Sequence, residues 1–479
     1  MSAATPPRPR VRLLGTELLE RPVALRMPFR FGAVTLAHAP QVFVRASVEV
    51  DGERVEGRSA ELLSAKWFDK DPSLSNEDNF DQLRRSLRSA AGLYAADARA
   101  RTAFGLHARW QPAHHAACAA DGLNGLIASY GTALVDRAIL DGLCRAKGCS
   151  VFEAVRANLA GIDSRTTPDL HGVDLDAHFA RSSVPDALSV RHTVGLADPL
   201  VDVDANPDGS APADDLPRTL REVAVRYGHR HFKIKLGGDP AADVARLTDI
   251  ARVLEELGRD YRVTLDGNEQ FADAEALRRL FDAIEGEPGL ERLWGATLYV
   301  EQPIARDRAL HEPVHALAAR KPLALDESDA HAGVFPVGRA LGYAGISSKS
   351  CKGFYRALLN AARAAAWNAE GGGRHHFMIA EDLTTQPGIG TQQDLALAAL
   401  VGVDHVEKNG HHYVDGFGDA PLAEQRRFAE AHPDLYRSLP DGRARLEIVE
   451  GAVSLRSLHV PGLAADRTPD WSSLRPLGA

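Results

Sequence analysis

The sequence HFKIKLGG at 231–238 is followed by the helical pattern VARLTDIARVLEELG at 244–258 and then by YRVTLDGN at 261–268. An apolar run, an amphipathic stretch and a second apolar run form a strand–helix–strand unit, and repeats of this unit build parallel sheets. Both apolar runs end in charged residues, Lys235 and Asp266. Functional side chains of parallel barrels lie at this end of the strands, so the stretch predicts both a fold and the position of a site.

The same alternation extends on both sides of this stretch. Further strand-like sequences are LSVRHTVGL at 188–196, TLYVEQP at 297–303, PLALDES at 322–328, YAGISSK at 343–349, HFMIAED at 376–382 and VDHVEKN at 403–409. Together they give eight candidate strands with about seven intervening helices. This number predicts an α/β fold with a (β/α)8-type, TIM-like barrel.

Sequence patterns outside the barrel predict a second domain. Residues 11 to about 60 alternate in polarity around a DG turn signal, and residues 76–160 have helical spacing. We therefore expect an N-terminal α+β capping domain at 1–185, a barrel at 186–440 and a C-terminal segment at 441–479. The sequence ARLEIVEGAVSLRSLHVPGLA at 444–464 predicts a hairpin that returns to the first domain. The acidic segment at 201–217 lacks apolar periodicity and indicates a mobile loop.

Composition limits the class of partner. The chain has 479 residues, a formal net charge of -9 and a pI near 6.1, so no basic surface for nucleic acid or anionic membrane is expected. Four cysteines without a CxxC pair do not suggest disulfides or a zinc knuckle. No apolar stretch long enough for a membrane span or signal sequence is present. We expect a cytoplasmic protein with a small-molecule partner.

Three carboxylates end successive predicted strands: Asp266, Glu301 and Asp326. They offer oxygen ligands without His or Cys, which favours Mg²⁺ over Zn²⁺. Mg²⁺ held here would polarise a bound carboxylate group and stabilise the enediolate formed when the alpha proton is removed.

Lysines flank the three carboxylates along the chain. Lys233 and Lys235 are two residues apart and share a face of their strand, and one ammonium near another has a lowered pKa. A lysine with a lowered pKa can act as a base. Lys349, at the end of the sixth predicted strand, would supply the complementary acid or base.

These motifs resemble those of the enolase superfamily, and a KxK on strand two with a lysine on strand six is similar to the muconate-lactonizing-enzyme subgroup of the mandelate racemase/muconate lactonizing enzyme family. The resemblance covers nearly the whole chain. It implies that Lys235 and Lys349 are the opposing acid/base pair and that Lys233 tunes Lys235. It also implies that Asn268 orients Asp266, that Mg²⁺ is the cofactor and that the protein is a homo-oligomer.

The chain departs from the family patterns in three places. The segment KSCKGFYRA at 349–357 has one glycine and a short spacing, which leaves Lys352 as a competitor of the favoured Lys349. Glu381 stands where mandelate-racemase relatives have a strand-seven histidine. Glu407 replaces the strand-eight DxD of dipeptide epimerases, so a dipeptide substrate is not expected. His411 and His412 follow strand eight and are candidates for the rim of the site.

The resemblance also implies that two capping-domain loops cover the barrel. Candidate substrate contacts in these loops are Phe29, Arg30, Phe31, Lys66, Trp67 and Phe68. The cationic and aromatic side chains suggest a substrate with a second anionic or polar group.

The expected reaction is removal of a proton alpha to a carboxylate. The product would arise by racemisation or epimerisation, by elimination or by cycloisomerisation, since the same two lysines serve all three. Two alternatives remain: a non-catalytic barrel that binds a partner or has a structural role, and a Schiff-base lyase or aldolase that uses the strand-six lysine.

Overall fold

The structure, a computed structural model, describes residues 7–31, 34–202, 214–371, 373, 375–381, 383 and 386–479. Its N-terminal domain begins with an antiparallel meander of β1 Val11–Phe31, β2 Val34–Val50 and β3 Glu53–Leu62. Asp51 and Gly52 connect β2 to β3 with φ values of 50° and 89°, the left-handed conformation that a tight hairpin requires. Most of the predicted acidic loop, and Asp382 of the strand-seven motif, lie outside the described residues.

The meander packs against a layer of helices. The helices of this domain are α1 Asn76–Ala95, α2 Ala103–Ala120, α3 Gly125–Ala146, α4 Val151–Arg156 and α5 Leu175–Ala180, and α1 and α3 make most of the contacts with the sheet. The apolar helix α3 is buried along most of its length and crosses the sheet at Gly57. A Cβ atom at Gly57 would lie 2.0 Å from the carbonyl oxygen of Ala138, so glycine is required for this close approach. The α+β arrangement of the first domain is as expected.

Eight parallel strands form a closed barrel, because the last strand pairs with the first as well as with its sequence neighbour. The strands are β4 Ala187–Val194, β5 His231–Lys235, β6 Arg262–Asp266, β7 Thr297–Glu301, β8 Leu323–Leu325, β9 Gly345–Ser348, β10 Phe377–Ala380 and β11 His405–Glu407. The predicted TIM-like barrel with an N-terminal capping domain is confirmed.

Helices follow the strands around the outside of the barrel. They are α6 Leu220–Tyr227, α7 Pro240–Glu256, α8 Ala274–Glu285, α9 Glu291–Ala296, α10 Arg306–Ala309, α11 His315–Arg320, α12 Val334–Leu341, α13 Phe354–Glu370, α14 Ile389–Leu400, α15 Gly410–Tyr413 and α16 Leu422–Ala431. The local sequence sets their ends. In α7, Pro240 occupies the first helical position and the Asp239 carboxylate accepts from the N–H groups of Ala241 and Ala242.

The C-terminal segment contributes to both domains. Short strands β12 Tyr436–Ser438 and β13 Ala444–Leu446 form a hairpin with each other, and β14 Ala452–Ser454 adds antiparallel to β4 of the barrel. The return to the first sheet is made later, by β15 Arg475–Pro476 beside β1. The two strands expected to form a hairpin at 444–464 therefore pair with other strands. β13 pairs with β12, and β14 pairs with β4, which offers an edge at the barrel closure.

Within the residues that the structure describes, no helix is both long and apolar enough to span a membrane.

Candidate active site

Strand register brings the predicted site residues to one rim of the barrel. Lys235 is the direct partner of Asp266 across β5 and β6, and Asp266 is the partner of Glu301 across β6 and β7. Asp326 and Lys349 come directly after β8 and β9. Residues that are far apart in sequence therefore meet at the carboxyl ends of the strands, as parallel topology requires.

The three carboxylates predicted to bind metal are almost completely buried. Asp266 and Asp326 are 1% exposed and Glu301 is 0% exposed. Within the described part of the chain, neither carboxylate oxygen of Glu301 accepts a hydrogen bond, although the Lys233 ammonium lies 2.9 Å away. Burial and the nearby charges of Asp266 and Glu381 raise the pKa of Glu301 well above its ordinary value. Carboxylate oxygens suit a divalent cation with a preference for oxygen, and the buried Glu301 oxygens lack hydrogen bonds, so the three carboxylates fit Mg²⁺.

Lys233 lies among four carboxylates. Its Nζ atom is 2.9 Å from Asp266 and Glu301, 3.1 Å from Glu407, and also in contact with Glu381. Burial alone would lower its pKa, but these charges outweigh burial and raise the pKa well above the ordinary value. The expected repulsion between neighbouring lysines is therefore overridden here by carboxylates from four other strands.

Lys235 and Lys349 each pair with a different carboxylate of this set and line the same cavity. Nζ of Lys235 donates to Asp266 Oδ2 at 2.6 Å, and Nζ of Lys349 donates to Asp326 Oδ2 at 2.6 Å. The Lys349 ammonium also lies 4.8 Å from the centre of the Trp67 ring. Burial opposes the charged form of Lys349, but Asp326, Glu381 and Glu301 raise its pKa above the ordinary value.

Lys352 is directed away from this cavity. Its ammonium donates to Ser347 Oγ at 2.8 Å and lies 3.3 Å from both Asp326 Oδ1 and Asp329 Oδ2. Lys352 therefore contacts Asp326 from the side that faces away from the cavity. The geometry favours Lys349 as the lysine that faces a substrate.

Asn268 contacts Asp266 through its backbone. Its N–H donates to Asp266 Oδ1 at 2.9 Å, while its side-chain amide donates to Glu327 Oε1 at 3.1 Å. The residue has a φ of 41°, an uncommon conformation that asparagine tolerates better than most residues. This turn points the backbone N–H at the carboxylate.

Gln302 was not predicted from the sequence. Its side-chain carbonyl accepts from the N–H groups of Asp326 and Ser328 at 2.8 and 3.1 Å, and its amide donates to Ser328 Oγ at 2.8 Å. Gln302 thereby fixes the loop that carries Asp326. A polar residue directly after the strand-terminal Glu301 is the signal that could have identified it.

Glu381 and Glu407 lie together at the end of the barrel interior. Glu381 contacts Arg191 and Lys233, and burial with the neighbouring Glu407 charge raises the pKa of Glu381 to about 7. Glu407 Oε1 accepts from Thr193 Oγ1 at 2.5 Å, and Glu407 lines the cavity. The two carboxylates share Lys233 as a common cation.

The predicted lid residues differ in position. Phe29 and Trp67 line the cavity, whereas Arg30 is exposed. The Lys66 ammonium donates to the backbone carbonyls of Asp71 and Leu74, and Phe68 is buried against Tyr130. The side chain of Phe31 lies outside the described part of the structure.

The wall of the cavity opposite the charged rim is apolar. Its lining includes Leu25, Phe29, Leu36, Leu62, Trp67 and Leu383, with Ser64, Asn409 and Tyr413 as polar members. A larger cavity, of about 1250 Å³, opens at the amino-terminal end of the barrel around Tyr299, Phe377 and His405. The predicted ligands and lysines line the smaller cavity, which identifies it as the candidate active site.

Comparisons with known proteins agree with this fold. The family model described as enolase C-terminal domain-like matches residues 215–430. No curated protein matches the sequence. Among solved structures, an enolase from Bradyrhizobium complexed with magnesium and mandelic acid is 17% identical, with a TM-score of 0.58 and 97% of each chain covered.

Two further solved structures show the same likeness. A muconate lactonizing enzyme from Pseudomonas fluorescens complexed with muconolactone is 18% identical, with a TM-score of 0.58, and the match covers 96% of this chain and 98% of that one. A mandelate racemase/muconate lactonizing protein from Herpetosiphon aurantiacus is 16% identical, with a TM-score of 0.55, and the match covers 94% and 97%. At these identities the likeness establishes the shared architecture of barrel and capping domain.

Proposed function

We propose that the protein, whose residues 215–430 match the family model described as enolase C-terminal domain-like, is a magnesium-dependent isomerase or lyase that removes the proton alpha to a substrate carboxylate. One observation carries the proposal. Lys235 at the end of β5 and Lys349 directly after β9, the second and sixth barrel strands, each lie 2.6 Å from a different buried carboxylate in one cavity. Strands two and six are on opposite sides of an eight-stranded barrel. A substrate between them would have an ammonium or amine group on either face.

Asp266, Glu301 and Asp326 would hold Mg²⁺. The unsatisfied oxygens of Glu301 and the absence of nitrogen or sulfur donors among these three residues support this assignment. Magnesium, when bound, supplies electrostatic stabilisation of the enediolate charge. Gln302 and the backbone of Asn268 hold two of the carboxylates in place.

The two lysines account for the three possible outcomes. Lys235 removes the alpha proton on one face of the substrate, and Lys349 can return a proton on the other face, which gives racemisation or epimerisation. Elimination or cycloisomerisation needs one lysine as base, while the other acts as acid or balances charge. Lys233 remains an ammonium among four carboxylates and limits the negative charge next to Lys235.

The cavity wall supports a substrate whose non-reacting part is apolar. Leucine, phenylalanine and tryptophan side chains face the space above the charged rim, whereas Arg30 and Lys66 are directed elsewhere. The expectation of a second anionic group rested on those two cations, so we replace it with an aliphatic or aromatic group attached to the reacting carboxylate. Burial of such a group against these residues favours binding by roughly 25 cal/mol per Å².

The test is proton exchange in deuterium oxide. Carboxylic acids with aliphatic or aromatic groups are incubated with the protein and Mg²⁺, and incorporation of deuterium at the alpha carbon is followed by NMR. We expect exchange with at least one acid, and a loss in Lys235→Met of about 10²–10⁴-fold, the usual contribution of a general base. The proposal would be abandoned if protein with bound Mg²⁺ exchanged no acid, or if Lys235→Met retained full exchange.

A further inference from the structure

Three histidines form a buried cluster on the outer side of the first barrel strand. His192 lies in β4, His229 comes shortly before β5, and His411 is in α15. They are 2%, 0% and 6% exposed, and one ring nitrogen from each lies within 4.8 Å of the others. His192 and His229 are not part of any pattern recognised in the sequence, because the three positions span more than 200 residues.

Two ring nitrogens of the cluster face each other, and two others have no hydrogen-bond partner in the part of the chain that the structure describes. Within the described residues, Nδ1 of His192 and Nδ1 of His411 form no hydrogen bond. Nε2 of His229 and Nε2 of His411 lie 3.1 Å from each other. A cation between the two Nε2 atoms would take a lone pair from each ring in place of this single hydrogen bond, and each Nδ1 would then carry the ring proton.

The histidines are also in the chemical form that binds metal. Burial, together with repulsion between neighbouring imidazoles, keeps the pKa values of all three well below the ordinary value. They are therefore neutral at pH 7, and a neutral imidazole has a lone pair to give to a cation.

We propose that His192, His229 and His411 form a second metal site, specific for a divalent transition ion such as Zn²⁺. Zinc–nitrogen bonds of about 2.0–2.1 Å in tetrahedral geometry place ligand nitrogens roughly 3.3–3.4 Å apart, close to the separation of the His229 and His411 nitrogens. Three neutral nitrogen donors suit Zn²⁺, whereas the carboxylate set in the barrel suits Mg²⁺. The two sites therefore select different ions.

An ion at this position would connect the loop after β11 to the first strand. His411 follows Asn409, whose amide donates to Glu407 Oε1 at 2.8 Å, and His192 precedes Thr193, which donates to the same oxygen. Glu407 and Asn409 line the cavity. The ion would thus fix one wall of the substrate cavity without contacting the substrate.

The test uses the full chain in excess Mg²⁺, so that the carboxylate site is occupied. Chelator-treated protein is titrated with Zn²⁺ against a chromophoric chelator, and retained zinc is measured by elemental analysis. We expect one Zn²⁺ per chain, and an affinity lowered by more than about 100-fold in His229→Gln and in His411→Gln, since loss of an outer hydrogen-bond partner alone costs roughly 10–100-fold. His432→Gln, at a buried histidine outside the cluster, should retain the ion.

Two results would overturn the site: no Zn²⁺ bound by the wild-type chain in excess Mg²⁺, or equal zinc affinity in both cluster variants and the wild type. If the variants do not fold, Co²⁺ titration of the wild type decides, because four-coordinate Co²⁺ absorbs visible light strongly and six-coordinate Co²⁺ does so weakly. Strong absorption supports the site and weak absorption overturns it. Asp326→Asn should retain Zn²⁺ while losing proton exchange, which separates this proposal from the proposed reaction.

Discussion

Lys235 and Asp266 are direct partners on adjacent parallel strands, and the ammonium of one donates to the carboxylate of the other at 2.6 Å. A predicted base and a predicted metal ligand are thus held together by strand register and by a direct hydrogen bond. Backbone pairing fixes their separation more firmly than loop contacts would.

Lys349 and Lys352 should have distinguishable roles. Lys349 faces the cavity, whereas Lys352 lies behind Asp326. For a chiral acid, Lys349→Met should lose alpha-proton exchange with one enantiomer and keep it with the other, while Lys352→Met keeps exchange with both enantiomers at lower rates. NMR on separate enantiomers measures this. Loss of exchange with one enantiomer in Lys352→Met, with Lys349→Met unaffected, would reverse the assignment.

Trp67 should determine binding of the apolar part of the substrate. Its ring lines the cavity and covers the Lys349 ammonium at 4.8 Å. Trp67→Ala should raise KM by about 10-fold or more, since loss of about 1.5 kcal/mol of apolar burial has that effect. Arg30→Ala, at an exposed position of the same lid, is the control and should leave KM unchanged. A larger effect from Arg30 than from Trp67 would favour an anionic substrate group.

Stability without metal should depend on pH through Glu381. Its pKa is raised to about 7 by burial and by Glu407, so the folded state holds this proton more tightly than the unfolded state. The resulting stabilisation is fully present below the ordinary pKa of glutamate and is lost as pH rises to about 7. Wild type should lose about 3 kcal/mol of unfolding free energy over this interval relative to Glu381→Gln. Urea unfolding of both proteins at several pH values gives the difference, and parallel curves would exclude it.

Two glycines of the capping domain should respond oppositely to alanine. At Gly57 a Cβ atom would collide with the Ala138 carbonyl oxygen, whereas at Gly92 in α1 nothing lies within 4 Å. Gly57→Ala should destabilise the protein by about 1–3 kcal/mol or more through overpacking. Gly92→Ala should stabilise it by about 1 kcal/mol through helix propensity. Thermal unfolding compares the two, and equal shifts would contradict the close packing of α3 on the sheet.

Much of the barrel could be predicted from sequence because every barrel strand after the first is an apolar run that ends at, or is directly followed by, a charged residue. Asp266, Glu301 and Asp326 were identifiable on that basis, since strand ends of a parallel barrel converge whatever the loops do. The Lys233 environment was not predictable, because two of its four carboxylate neighbours, Glu381 and Glu407, come from strands that only barrel closure brings near.

The lid and the histidine cluster were beyond sequence reasoning for another reason. Whether Lys66 faces the cavity depends on its φ of 63° and on the carbonyls of Asp71 and Leu74, and neither is visible in a motif. The hairpin expected at 444–464 shows the same limit. Alternation predicted strands there, but the partner of β14 was decided by the available barrel edge.

Pairing of β15 with β1 has a consequence for synthesis of the chain. Arg475 donates to Glu20 at 2.9 Å across 455 positions, and the last barrel strand closes on the first across more than 200. Neither the capping sheet nor the barrel can reach its final hydrogen-bonded form until the strands that complete them, β15 and β11, have left the ribosome. Strands that are synthesised early, such as β1 and β4, therefore keep an unpaired edge until their partners are made, and such edges are prone to aggregation. Expression of this protein should therefore benefit from slow translation or from chaperones that shield a nascent chain.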